Sequence, residues 1–142
     1  LRSPNPTVRY WGAIGLAAYK LEPSDSSINA LQKRLTDSSP SVRIEAANAL
    51  AKHGYMAAAL PILISELEHE NLIVVTHAAR TLELLGPLAE EAIPAMRACL
   101  KRAHKIRPPD LSPVIVLPGD QDMAMFVGFS CQAFLDQFKD SD

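Results

Sequence analysis

Three stretches of the chain place apolar and small residues at the same offsets. Within 3–16, 37–50 and 69–82, Val8, Val42 and Val74 fall in one column, Gly12, Ala46 and Ala78 in a second, and Leu16, Leu50 and Leu82 in a third. Columns four residues apart lie on one face of a helix, so each stretch predicts a helix that buries a Val–small–Leu stripe. Ala13, Ala47 and Ala79 add a second small-residue column, where neighbouring helices can approach closely. A second family of stretches alternates with the first. Ile28, Leu31 and Leu35, then Leu60, Leu63 and Leu67, then Ile93, Met96 and Leu100 fill its first, fourth and eighth places. Both families recur about every 33 residues, so the unit is a helix A, a tight turn and a helix B.

Punctuation agrees with this division. Asn5 and Ser39 are N-cap candidates ahead of Pro6 and Pro40, which suit a first helical turn. Gly54 and Gly86 stand where two B helices should end, and Pro61 and Pro94 should lie near the starts of their A helices or kink them. A last B-type helix is expected over about 123–138, with Phe126, Ser130, Cys131 and Phe134 in the Val, small, small and Leu places. Ahead of it, a proline-rich insertion at 104–122 breaks the rhythm, and its apolar piece 114–117 is expected to dock as an extended segment. The expected organisation is a single domain: a half-repeat helix B at 1–20, repeats at 27–54 and 56–86, and a last, interrupted repeat at 89–138. The fold class is all-α, a right-handed α-α superhelix of about seven helices.

Composition narrows the function classes. Of 142 residues, 48% are hydrophobic, 6% aromatic and 21% charged, which suits compact helical packing rather than disorder. Fourteen basic against 16 acidic residues give a net charge of −2, so no basic field points to nucleic acid. No apolar run approaches the ~20 residues of a membrane-spanning helix. The chain opens Leu1-Arg2-Ser3 without an initiator Met, as a segment of a longer protein would. Cys99 and Cys131 each fall inside a helical apolar pattern, which reads as two buried thiols, a disulfide or metal pair being the alternative. They leave the compartment undecided.

Pro-x-Val-Arg at the start of a B helix, 6–9 and 40–43, with Ala-Ala-x-x-Leu following, resembles the HEAT repeat in its bacterial lyase-like variety, an armadillo-like solenoid class. The resemblance covers nearly all the chain outside the insertion. It implies a structural ladder in which Arg9 and Arg43 fill the family's arginine column and Asp37 is the turn aspartate they bridge. Val75 replaces the arginine in the third repeat, where the ladder should lapse. Residues 3–16, 37–44 and 69–71 also look like the HEAT-type extension at the C-terminus of bacterial sulfatases. That resemblance implies a non-catalytic tail of a sulfuric-ester hydrolase, periplasmic or extracellular, although no formylglycine motif occurs in the chain.

Candidate chemistry is sparse. The His-Glu di-iron hydroxylase of the same repeat class carries its metal-binding dipeptides at B-helix starts. Here those slots hold Tyr10-Trp11, Ile44-Glu45 and Thr76-His77, and the lone His69-Glu70 lies a turn earlier. Glu66, Glu68 and Glu70 read as a solvated helix end, and His53 and His104 as caps suited to a helix dipole. No catalytic triad, phosphate-cradling loop or cofactor site is expected. Glu45, Asn48, His77 and Arg80 are candidates for lining a groove. Tyr10, Trp11 and Ile14 on the first B helix are candidates for an interface, because an edge helix exposes an apolar face that a partner can cover. The expected function is a non-catalytic scaffold for protein–protein or interdomain packing, its partner being an upstream catalytic domain or a second copy of the chain. The alternatives are a free-standing HEAT-like adaptor, a bilin-lyase-type binding protein and, with its motifs absent, the di-iron hydroxylase.

Overall fold

The computed structural model describes residues 1–18, 23–109 and 120–139, and among them are seven α-helices and no strand. They are α1 (Pro6–Ala18), α2 (Asp25–Gln32), α3 (Pro40–Lys52), α4 (Met56–Glu66), α5 (Leu72–Leu85), α6 (Ile93–Ile106) and α7 (Asp120–Asp136). The all-α class and the helix count are those expected from the repeat. In the predicted alternation, α1, α3, α5 and α7 are B helices and α2, α4 and α6 are A helices.

Local chemistry sets the boundaries. Asn5 caps α1, its Oδ1 accepting the Thr7 amide at 2.9 Å, and Asn71 caps α5 through Ile73 at the same distance. Ser39 occupies the N-cap of α3 but makes no capping bond with its side chain; its own amide is held by Asp37 Oδ1 at 3.0 Å. At the other end of α3, Gly54 takes φ +85° and the Tyr55 amide reaches back to the Leu50 carbonyl at 2.9 Å. With the Gly54 amide on Ala51 this makes a Schellman closure, which needs a left-handed residue where glycine stands. The first A helix tightens into a 3-10 turn, Lys33–Thr36, before it ends. Pro94 sits in the first turn of α6, whereas Pro61 lies inside α4.

By contacts the chain falls into two compact units, Leu1–Leu63 and Ile64–Asp142. The reason is general to repeats: each helical pair packs on its sequence neighbours, so cohesion is local. In the first unit α1 packs against α3, and α2 joins α3. In the second, α7 packs against both α5 and α6.

The second small-residue column is the one the structure buries without exception. Ala13, Ala47, Ala79 and Cys131 are all fully enclosed. In the Leu column Leu50, Leu82 and Phe134 are enclosed and Leu16 is half-buried. The valine column departs from the expected stripe: Val42 is enclosed, Val74 half-buried, and Val8 and Phe126 exposed. In α5 and α7 the buried position moves one residue on, to Val75 and Val127, the same column that holds Arg9 and Arg43 in the first unit. An apolar residue in that column can enter the core, whereas an arginine must find partners for its donors.

Two more expectations are corrected. The insertion is narrower than 104–122, because α6 continues through His104 to Ile106 and α7 begins at Asp120; the docking of 114–117 lies outside the described residues. Glu66 is buried rather than part of a solvated end, since it follows Leu63 by three residues and falls on the stripe of Ala59, Leu60, Leu63 and Leu67. The helical run Leu72–Ile106 is, by length and composition alone, long and apolar enough to cross a membrane, a run that α5 and α6 compose only together. Gly86, at φ +56° and ψ −131°, and Ala89 break it into the two helices that pack on α7.

Candidate binding surface

The ladder residues meet in the first unit. Arg9 leaves α1 towards the turn before α3 and grips Asp37 with two parallel bonds, Nε to Oδ2 and Nη2 to Oδ1, both 2.7 Å. Its remaining Nη1 donates to the carbonyls of Ser3 at 3.0 Å and Pro4 at 2.8 Å. Arg34 adds a bond to Asp37 Oδ2 at 3.0 Å, so with the Ser39 amide the carboxylate accepts four hydrogen bonds. Two oxygens offer about four lone-pair sites, so Asp37 is saturated. The Arg9 bonds, then the Ser39 amide and Arg34, hold its carboxyl well below the usual carboxylate range despite burial. Arg43 repeats the local half of this pattern on α3: its Nη1 reaches the Asp37 carbonyl at 2.8 Å and the Ser38 carbonyl at 3.5 Å, six and five residues back, as Arg9 does with Ser3 and Pro4. Together these bonds clasp α1 and α3 to the 33–39 turn.

The aromatic candidates lie on the other side of α1. Trp11 is 63% exposed, with Val8 exposed one turn before it. Tyr10 meets Trp11 edge to face, ring centroids 5.6 Å apart at 79°, and Ile14 is half-buried beside them. Burial, then the charge of Glu45, raises the Tyr10 phenol above its ordinary value. The groove candidates are not equivalent. Glu45 is buried and accepts from Asn48 Nδ2 at 3.1 Å, so its carboxylate is not offered to a groove. In the second unit His77 is half-buried, while Arg80 is exposed and pairs with Glu83.

Sequence reasoning missed Phe129. It lies in the column of Trp11, Glu45 and His77, at the shift of 84 that already aligned Phe126 with Val42, and it is 56% exposed. Phe126 stands exposed one turn before it. The first and last B helices therefore present apolar pairs, Val8 with Trp11 and Phe126 with Phe129, at the columns that α3 and α5 cover or make polar. Beside Phe129 is a cleft of about 260 Å³, lined among others by His104, Pro108, Met125 and Gln132. Arg107, also in the lining, bonds Asp122 at 2.8 Å.

The histidines have ordinary employment. His53 Nε2 meets the Leu16 carbonyl at the end of α1 at 2.9 Å, and His69 Nδ1 accepts the Asn71 amide at 3.0 Å. Among the described residues no three His, Cys, Asp or Glu side chains converge as a metal site would need. The two cysteines, Cys99 on α6 and Cys131 on α7, are both buried and unbridged.

A family model described as HEAT repeats matches residues 1–65 and 29–107. A phycocyanobilin lyase subunit alpha from Picosynechococcus sp. is 38% identical over 99 residues, which cover 65% of this chain and 35% of that protein. The chain thus spans about a third of the length of the curated relative it matches. No solved structure matches. The sulfatase resemblance of the N-terminal stretches finds no support in these comparisons.

Proposed function

The chain belongs to the HEAT-repeat family, and from that premise we propose that it is a non-catalytic module that binds a protein partner through the apolar pair Val8 and Trp11 of its first B helix. The exposure of Trp11 beside Val8 is the observation that carries this reading. Tryptophan is the side chain most enriched among residues that anchor interfaces, and burying one on a partner removes a large apolar area from water. Arg9, on the same helix, is fully engaged with Asp37 and its own loop, so α1 is held rigid behind the ring. A rigid anchor loses little conformational entropy on binding. The relative agrees with the reading in being a subunit, a chain that works in company.

The competing reading is a bilin-lyase-type protein that holds a chromophore. The cleft beside Phe129, at about 260 Å³, falls short of the roughly 300–1,000 Å³ of most small-molecule sites, which favours a partner's side chain there. Sedimentation tests the proposal on the chain itself, with a second copy serving as partner. Wild type should associate as concentration rises, and Trp11→Ala should move it towards monomer while helical circular dichroism persists. A wild-type chain that stays monomeric at millimolar concentration refutes self-association. Saturable binding of phycocyanobilin, read by its absorbance, would favour the competing reading.

A further inference from the structure

After its first two residues, the exposed positions of α1 are Val8, Trp11, Gly15 and Ala18, spaced three, four and three residues apart. That spacing is the a/d seam of a helix suited to pack on another helix. The seam is also graded in size, with its large side chains in the first half and its small ones in the second. A Cβ added at Gly15 would meet nothing within 4 Å, so the chain's own packing leaves that place open.

A helix face that packs on its own copy must meet two conditions. Each large group has to fall opposite a small one, and no charge can be set against its like or against an apolar group. The seam of α1 meets both. In an antiparallel pair, Trp11 falls opposite Gly15 of the second copy and Val8 opposite Ala18, and the twofold axis makes each pairing occur twice. Arg9 is the one charged residue of α1, and it is buried and held by Asp37. The corresponding seam of α7 is Phe126, Phe129, Ala133 and Asp136, and the same arrangement there sets a carboxylate against Phe126.

We infer that the partner of the Val8–Trp11 surface is a second copy of this chain, docked α1 on α1, antiparallel about a twofold axis, with each indole seated over the other copy's Gly15. This rests on the reading that the surface binds protein, to which it adds the partner and the register. Trp11 is steadied for the task by its edge contact with Tyr10. The contact is isologous, so it closes at two copies. Two helices of 13 residues cover less than the roughly 1,200 Å² at which standard interfaces begin, so the dimer is a weak one, read at high micromolar concentration.

Sedimentation of the full chain should show monomer and dimer and nothing larger. Gly15→Trp sets indole against indole and should weaken the dimer about tenfold or more, although it removes a glycine from a helix interior and disturbs no contact within the chain. Adding Trp11→Gly to that variant gives each pairing one large and one small group again, and should bring the dimer back to within about threefold of wild type. Chains carrying Val8→Cys, mixed with chains carrying Ala18→Cys, should form disulfides between unlike chains, the native Cys99 and Cys131 being enclosed. Like chains should not, because their new thiols stand about 15 Å apart along the helix axis. A wild type that stays monomeric at millimolar concentration overturns the inference, as do species beyond the dimer or disulfides between like chains. If Trp11→Ala dissociates the dimer while Gly15→Trp does not, Trp11 still binds and the inferred register falls. If neither variant weakens the dimer, the binding surface falls with it.

Discussion

Removing the carboxylate of Asp37 is the most exacting perturbation of the fold. In Asp37→Ala, Arg9 loses both bonds of its bidentate grip, Arg34 loses its bond to Oδ2, and the Ser39 amide at the head of α3 loses its acceptor. The site is dry: the Asp37 side chain is 1% exposed and that of Arg9 9%. Arg34 is poorly placed to adapt, since its buried Nε has no hydrogen-bond partner even in the wild type. Deleting one member of a buried ion pair costs about 3–5 kcal/mol, because the surviving charge stays desolvated. Exposed pairs are worth only about 0–1 kcal/mol, so burial decides the magnitude here. For a chain of this size that loss lowers the thermal midpoint by on the order of 10 °C. Circular dichroism melts of wild type, Arg9→Met, Asp37→Ala and the double variant measure it. The double variant should be less destabilised than the sum of the singles, because removing both charges leaves neither stranded. A single variant melting within about 2 °C of wild type, or additivity within about 0.5 kcal/mol, would refute the clasp.

The same carboxylate predicts an acid response. Its pKa is lower folded than unfolded, so its contribution is present above the unfolded value of 3.8 and is lost as pH falls further; Asp37→Ala should flatten that part of a stability–pH curve. Ala47 is fully enclosed in the small-residue column, so Ala47→Leu should overpack the first unit and cost about 1–3 kcal/mol in urea titration, and an unchanged midpoint would sink that column. Gly86→Ala should cost about 1–3 kcal/mol, because φ +56° with ψ −131° suits only glycine. An added Cβ there also meets Gln137 Oε1 at 2.7 Å. Gly54→Ala is the control: it shares the positive φ but has nothing within 4 Å, so it should be milder in the same titration.

Periodicity alone determined the helix order, the alternation of A and B helices and the close-packing column of Ala13, Ala47, Ala79 and Cys131. These follow from local geometry, in which residues three or four apart share a face whatever the helix later meets. The Arg9–Asp37 pairing was legible only through the family resemblance, and its depth was not: the convergence of Arg34, the Ser39 amide and two carbonyls depends on how the 33–39 turn meets α1. Which face of each stripe ends in the interior was decided by tertiary packing. Val8 and Phe126 share a column with Val42 yet face solvent, and Glu66 is enclosed although its type argues for water. Burial depends on the neighbour a face receives, and a single sequence records the face without the neighbour. The pairing of α6 with α7 makes the same point, since neither stretch records that α7 packs on α6, where Arg107 bonds Asp122 and a Cβ on Gly128 would stand 3.9 Å from His104.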